Sequence, residues 1–304
     1  MYQEDLQKER IEKTRRAWAR NDARRDEGLT EPETLLKTKD IVYSIVDGHE
    51  LRLDVYRPKN SEGLLPVIVS SHGGGYFYGD KELYRFYCMN LAERGFTVVN
   101  YTYRLAPEDK FPAAVMDTHA VYCWVGENIA KYNGDPEKIM AIGDSAGAQL
   151  ASHYAALYSN PDFAALYGIK MPGTFKIRAV SVACGLYDII ERATSENGED
   201  FIHDYLGTGF DLSDKRIDVM RYITAAFPPA FVFSCHGDFL MPKAEPFVKL
   251  LQSRGAYAEL KIYSRPDGSD IYHVFHVNLR EETGQKADDD QADFFRRMLE
   301  NRTE

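Results

Sequence analysis

Six short apolar runs, separated by stretches long enough for a helix, most restrict how this 304-residue chain can fold. They are 66–71 (PVIVSS), 97–101 (TVVNY), 138–143 (KIMAIG), 178–184 (RAVSVAC), 230–235 (AFVFSC) and 258–263 (AELKIY). Apart from 258–263, they do not alternate strictly between apolar and polar residues. Strands buried on both faces read this way, and helix-length spacers between them predict a mostly parallel α/β sheet covered on both sides. Ahead of them, 39–57 (KDIVYSIVDGHELRLDVYR) holds two β-branched runs around Asp47-Gly48, which predicts an antiparallel hairpin. With 44% hydrophobic residues the chain can bury a full core.

Two stretches break the strand rhythm. Residues 1 to about 36 are polar and charge-rich around Trp18, which predicts one or two surface helices ending near Pro32. From Tyr187 to Phe227 the chain is polar with scattered aromatic residues, which predicts an insertion over the C-terminal edge of the sheet.

Charge and composition exclude several functions. The formal net charge is −10, from 47 acidic and 37 basic residues, so neither nucleic acid nor an anionic membrane is an expected partner. The apolar runs fall far short of the roughly 18 to 20 residues that span a bilayer. A charged N-terminus without an apolar h-region points to a cytoplasmic chain. Cys88, Cys123, Cys184 and Cys235 lack C-x-x-C spacing and read as buried reduced thiols rather than as a metal or redox motif. The sequence is compatible with a homo-oligomer.

The chemistry concentrates where the predicted strand 138–143 meets the next predicted helix. Here GDSAG places Ser145 between Gly143 and Gly147. A nucleophile on a sharp strand-to-helix turn needs small residues two positions either side, because the two backbones approach closely there. The loop 70–80 (SSHGGGYFYGD) follows a strand upstream, and Gly73, Gly74 and Gly75 can turn N–H groups toward an oxyanion, with Ala146 N–H as a further donor. No Lys followed by Ser or Thr closes the glycine loop, so it does not read as a phosphate loop.

A serine nucleophile needs a base and an acid that orients it. His72 belongs to the glycine loop, His49 to the hairpin turn, and His119 and His153 to predicted helices. His203 lies in the predicted insertion and reads as structural or substrate-facing. This leaves His236, His273 and His276 as bases. Asp238, just past the strand 230–235, is the expected acid, with Asp188 as its rival; Asp267 and Asp270 read as loop residues.

HGGGYFYGD at 72–80, YRLAPEDKFPAAVMD at 103–117, GDSAG at 143–147 and HVF at 273–275 occur in this order. Over residues 40 to 300 the chain resembles the hormone-sensitive-lipase family of α/β-hydrolases, in its bacterial GDSAG branch. The resemblance implies the α/β-hydrolase fold and carboxylic ester hydrolysis without metal or organic cofactor. It implies Ser145 as nucleophile, His273 as base and Asp238 as acid. Val274 stands where the family usually has glycine, and Phe239 where it usually has proline.

The resemblance further implies a cap, giving residues 1–38 as its N-terminal segment, 39–186 as the first part of the core, 187–227 as the cap insertion and 228–304 as the second part of the core. Tyr76, Phe77, Tyr78, Phe210 and Tyr222 could line an acyl or alcohol pocket, although each also suits plain packing. Arg104 and Glu108 are expected to satisfy buried groups, and Asp144 to support the nucleophile by hydrogen bonding. The expected substrate is a small ester with a short- to medium-chain acyl group, acetyl and aryl esters included. An amidase or formamidase with the same triad, or a ligand-binding member of the fold that turns nothing over, are the alternatives.

Overall fold

The computed structural model of the chain describes residues 2–195 and 200–300. Its strands are β1 Leu35–Val46, β2 His49–Pro58, β3 Leu65–Ser71, β4 Thr97–Tyr101, β5 Gly134–Asp144, β6 Ile177–Ala183, β7 Ala230–Cys235 and β8 Ala258–Tyr263. Among the described residues they form one eight-stranded sheet in the order β1-β2-β4-β3-β5-β6-β7-β8. The β1–β2 hairpin turns at Asp47-Gly48 as predicted, and β2 also pairs antiparallel with β4. The remaining pairings are parallel. β5 begins at Gly134, earlier than the sequence suggested, because Gly134 and Asp135 pair with Leu65 and Pro66 before a register shift. The polar run GDPEK hides that extension from an apolar reading.

The helices are α1 Tyr2–Asp26, α2 Lys81–Glu93, α3 Ala113–Asn128, α4 Ala146–Ser159, α5 Pro161–Leu166, α6 Ile189–Thr194, α7 Asp200–Leu206, α8 Val219–Tyr222, α9 Met241–Ser253 and α10 Glu282–Glu300. One face of the sheet is packed by α3, α4 and α9 through residues such as Val121, Leu150 and Phe247. The other is packed by α2 and α10, through residues such as Met89, Leu91, Phe294 and Phe295. With both faces buried, strict alternation has no role, which is why the parallel strands read as continuous apolar runs. No helix among the described residues is long and apolar enough to cross a membrane.

The strand order positions the site. β3 lies between β4 and β5, so successive connections leave its neighbourhood in opposite directions and open a crevice at the carboxyl ends. Register places Ser71 beside Gly143 and Asp144 beside Ala183. The glycine loop after β3 and the turn after β5 therefore face each other across that crevice.

α1 crosses the same edge. Its Arg15 Nε donates to Phe77 O at 2.7 Å, and Trp18 packs on Phe77 at 5.0 Å and on Phe201 of α7 at 6.0 Å. Gln7 and Arg10 reach Asp204 of α7, which is buried. Tyr205 of α7 stacks on Tyr76 at 3.9 Å. Residues of the N-terminal helix and of the segment between β6 and β7 thus pack together over the glycine loop.

Candidate active site

β5 ends at Asp144 and α4 begins at Ala146, so Ser145 alone carries the change from strand to helix. It does so at φ 52° and ψ −118°, a backbone that an L-residue keeps only where its surroundings hold it. Ser145 N–H donates to Ala183 O at 3.0 Å, and its carbonyl accepts from Leu186 N–H at 3.2 Å. A Cβ on Gly143 would stand 2.2 Å from Gly147 O, and one on Gly147 would stand 2.1 Å from Ser71 O. The small flanks are therefore a steric requirement of the turn.

The loops after β7 and β8 meet through a bridge between Gly237 and Tyr272. That contact brings His273 between Ser145 and Asp238. Its Nε2 lies 3.0 Å from Ser145 Oγ, and its Nδ1 lies 2.7 Å from Asp238 Oδ1. A proton on Nδ1, donated to the carboxylate, leaves the Nε2 lone pair to accept the serine O–H.

Asp238 is buried, which opposes ionisation. His273, the Ser234 hydroxyl donating to Oδ2 at 2.5 Å and Leu240 N–H donating to Oδ1 at 3.0 Å outweigh that cost and hold the carboxyl below its usual range. Phe239, exposed in its position, lays its ring 4.6 Å from the His273 ring. Val274 adopts φ 55°, a strained conformation for a β-branched residue at the place where the family resemblance has glycine.

Across the crevice, Gly74 and Gly75 N–H have no hydrogen-bond partner among the described residues. Ala146 opens α4, where first-turn N–H groups have no preceding helical carbonyl to meet. Gly73 is a correction to the expected donor set, because its N–H already donates to Tyr84 Oη at 3.0 Å. The same hydroxyl donates to Asp144 Oδ2 at 2.7 Å. Asp144 is buried, and that burial pushes its pKa up to about 6 despite the Tyr84 hydrogen bond and the nearby His273.

A family model described as the alpha/beta hydrolase fold matches residues 68–276. The chain belongs to the alpha/beta hydrolase fold family. Esterase LipQ of Mycobacterium tuberculosis is 31% identical to this alpha/beta hydrolase over 242 residues, covering 74% of the chain and 56% of that relative. Carboxylesterase NlhH of the same organism is 29% identical over 251 residues, covering 75% of the chain and 73% of that protein. Esterase B from Lactobacillus rhamnosis, solved with a tributyrin phosphonate inhibitor, superposes with a TM-score of 0.87 at 22% identity, over 98% of this chain and 97% of that one. The chain spans 35% to 58% of the length of four curated relatives, LipQ among them.

Two cavities of the chain meet at Ser145. The larger, about 530 Å³, is lined by His273, the glycine loop, Tyr78 and Tyr84, and by Trp18, Asn21, Asp22 and Arg25 of α1. The smaller, about 50 Å³, is lined by Ser145, Ala146, Tyr76, Ile202, Leu186 and Leu240 among others. Tyr76 and Tyr78 thus line the site. Phe77 does not, being buried under Trp18 and Phe201. Phe210 and Tyr222 are a second correction: Phe210 packs edge-on to Phe111 at 5.7 Å, and Tyr222 stacks on Phe163 at 4.4 Å. The site residues that sequence reasoning missed are Tyr84 and the α1 face carrying Trp18, Asn21, Asp22 and Arg25.

The remaining candidates sit elsewhere. His276 is buried against Tyr87 and Phe233, and burial drives its pKa down to about 3. His236 and His49 are exposed, and Asp188 caps α6 by accepting Glu191 N–H. Arg104 pairs with buried Asp117 as expected, but Glu108 is largely exposed and pairs with Arg15 of α1. Cys123 is only partly buried, unlike the other three thiols. Cys184 Sγ, Asp238 and His273 offer ligand atoms within 4.8 Å of one another, yet a cation there would have to break the bond that orients His273.

Proposed function

We propose that this chain is a serine carboxylesterase acting on short- to medium-chain acyl esters through an acyl-enzyme. The observation that carries the reading is the continuous Ser145–His273–Asp238 relay, with contacts of 3.0 and 2.7 Å, beside the unpaired Gly74 and Gly75 N–H groups.

Ser145 Oγ attacks the ester carbonyl while His273 Nε2 takes its proton. The carbonyl oxygen becomes an oxyanion held by N–H groups of Gly74, Gly75 and Ala146, where one donor typically accounts for about 100-fold to 1,000-fold in rate. Collapse breaks the bond to the alcohol oxygen, which receives the proton from His273. Water, deprotonated by the same ring, attacks the acyl-enzyme, and His273 returns the proton to Ser145 Oγ as the acid leaves. Asp238 keeps the ring oriented and stabilises its charged form throughout. No step requires a metal or organic cofactor. Residues 1–38 and 187–227 act as the cap that shapes the pocket, and the partner is a small-molecule ester.

The test is hydrolysis of p-nitrophenyl esters from acetate to decanoate by the wild-type chain and by Ser145→Ala, which keeps the small side chain the turn accepts. Turnover lost at least 1,000-fold in a folded Ser145→Ala supports the reading. Turnover that survives the substitution overturns it, and cleavage of acyl amides alone moves the chemistry to amide bonds.

A further inference from the structure

The two cavities at Ser145 are unequal, and His273 lines only the larger. On the esterase reading above, on which this inference rests, His273 must hand its proton to the leaving oxygen. The alcohol portion therefore lies on the side that His273 lines, and the acyl substituent lies on the other. We infer that the chain is built for small acyl groups on bulky, ring-bearing alcohols, and that Leu186 and Leu240 are the wall that limits acyl length.

The acyl side offers about 50 Å³, a few times the space needed to hold one water, and it is lined by Tyr76, Leu186, Arg192, Ile202 and Leu240. A two- to four-carbon acyl group fills it. The alcohol side offers about 530 Å³, in the range of pockets that enclose whole small molecules. Five aromatic side chains line it, Trp18, Tyr78, Tyr84, Phe201 and Phe239, the last two shared with the small space, and Asn21, Asp22 and Arg25 add polar groups. Ring faces surrounding a volume of that size suit a flat ring, because aromatic pairs gain from offset or edge contacts beyond simple burial.

Beyond the wall lies a third cavity of about 400 Å³, floored by Tyr187, Met220, Pro246, Phe247 and Leu250. Leu186 and Leu240, with Arg192 beside them, line it as well as the small acyl space. Removing either leucine side chain would join the two and give a longer acyl chain a path away from Ser145 along the apolar floor, opposite the charged Asp188, Glu191, Arg192 and Lys243. The wall thus separates a short-acyl enzyme from a medium-chain one.

Kinetics on two substrate series test this. The first holds p-nitrophenol constant and extends the acyl group from acetate to decanoate. The second holds acetate constant and compares phenyl, 2-naphthyl and 4-phenylphenyl esters, whose phenols have similar acidity. The wild type is expected to lose at least tenfold in kcat/KM between butyrate and octanoate while keeping the larger aryl acetates within about threefold of phenyl acetate. Leu240→Ala should raise the octanoate-to-acetate ratio at least tenfold and leave the aryl ratios unmoved, and Leu186→Ala serves if Leu240→Ala does not fold. Trp18→Ala should change the aryl ratios and leave the acyl profile unmoved. An octanoate optimum in the wild type, or a folded wall variant with an unchanged acyl profile, overturns the inference while leaving the esterase reading standing. Absence of turnover on every ester overturns that reading first, and this inference with it.

Discussion

The Tyr84 hydroxyl donates to Asp144 Oδ2 at 2.7 Å while accepting the Gly73 N–H at 3.0 Å. One phenol thus ties the loop that carries the proposed oxyanion donors to the residue preceding the proposed nucleophile. Asp80 fixes its position by capping α2, accepting N–H bonds from Glu82 and Leu83. Tyr84→Phe keeps the ring but leaves Gly73 N–H and a buried carboxyl without this partner, at a cost of about 1–3 kcal/mol. The expected outcome is a kcat on p-nitrophenyl acetate reduced at least tenfold, with KM within about threefold. A kcat equal to wild type would mean that the loop holds its shape without Tyr84.

Asp144 also makes stability depend on pH. Burial raises its folded pKa to about 6, above the ordinary carboxyl value. The protonated form is therefore the one that folding favours. Its contribution is complete below the unfolded pKa, near 4, and is lost as pH rises through about 6. Asp144→Asn has no charge to bury, so relative to wild type it should gain stability between pH 4 and 7, on the order of 2–3 kcal/mol. Urea denaturation of both proteins at pH 4, 5.5 and 7 checks this. A difference that stays constant across the three pH values would show that Asp144 does not titrate in that window.

The attachment of α1 separates a useful ion pair from an incidental one. Arg15 reaches Phe77 O, Ala106 O and the Glu108 carboxylate, but Glu108 is largely exposed, and exposed pairs are worth roughly 0–1 kcal/mol. Glu108→Ala is expected to shift Tm by no more than about 2 °C. Arg15→Ala removes the bonds to both carbonyls of the core as well. It should speed amide exchange along α1 and raise KM severalfold, since Trp18 and Asn21 of that helix line the larger cavity. Equal effects from the two variants would place the anchoring in the ion pair after all.

Sterics made Ser145 stand out in the sequence, and the family resemblance singled out His273 and Asp238 among the late histidines and acids. Ser145 was visible because its turn admits only small neighbours, and the contacts that a Cβ at Gly143 or Gly147 would make show why. The mostly parallel sheet was visible because strands covered on both faces carry largely apolar runs, the edge strand at 258–263 excepted. The segment 1–38 was expected in a cap, but which residues of α1 would line the site was hidden, since that helix is polar along its length and docks through Arg15, Trp18 and Arg25 rather than through an apolar stripe. Tyr84 was hidden because nothing local distinguishes it from Tyr87 three residues on, which packs toward α10 and reaches Gln291. Phe210 and Tyr222 misled for the same reason: an aromatic residue near a site in sequence carries no signal of which neighbour it will pack on.

The two C-terminal histidines give the sharpest contrast. His273 is partly accessible and bonded at both nitrogens, to Ser145 and to Asp238. His276 is buried with Nδ1 unpartnered, and its ring meets Tyr87 and Phe233 edge-on at 5.1 and 5.2 Å. With its pKa pushed down to about 3 by burial, His276 stays neutral at working pH and serves as packing. His273→Ala should therefore lose at least 1,000-fold in kcat while melting within a few degrees of wild type. His276→Ala opens a hole in the core and should lose about 2–4 kcal/mol of stability, yet keep most of its kcat below the melting transition. Parallel melting curves and p-nitrophenyl acetate kinetics decide between these roles. The opposite pattern would make His276 the base and would require the loop from Tyr272 to Val277 to rearrange before Ser145 could be deprotonated.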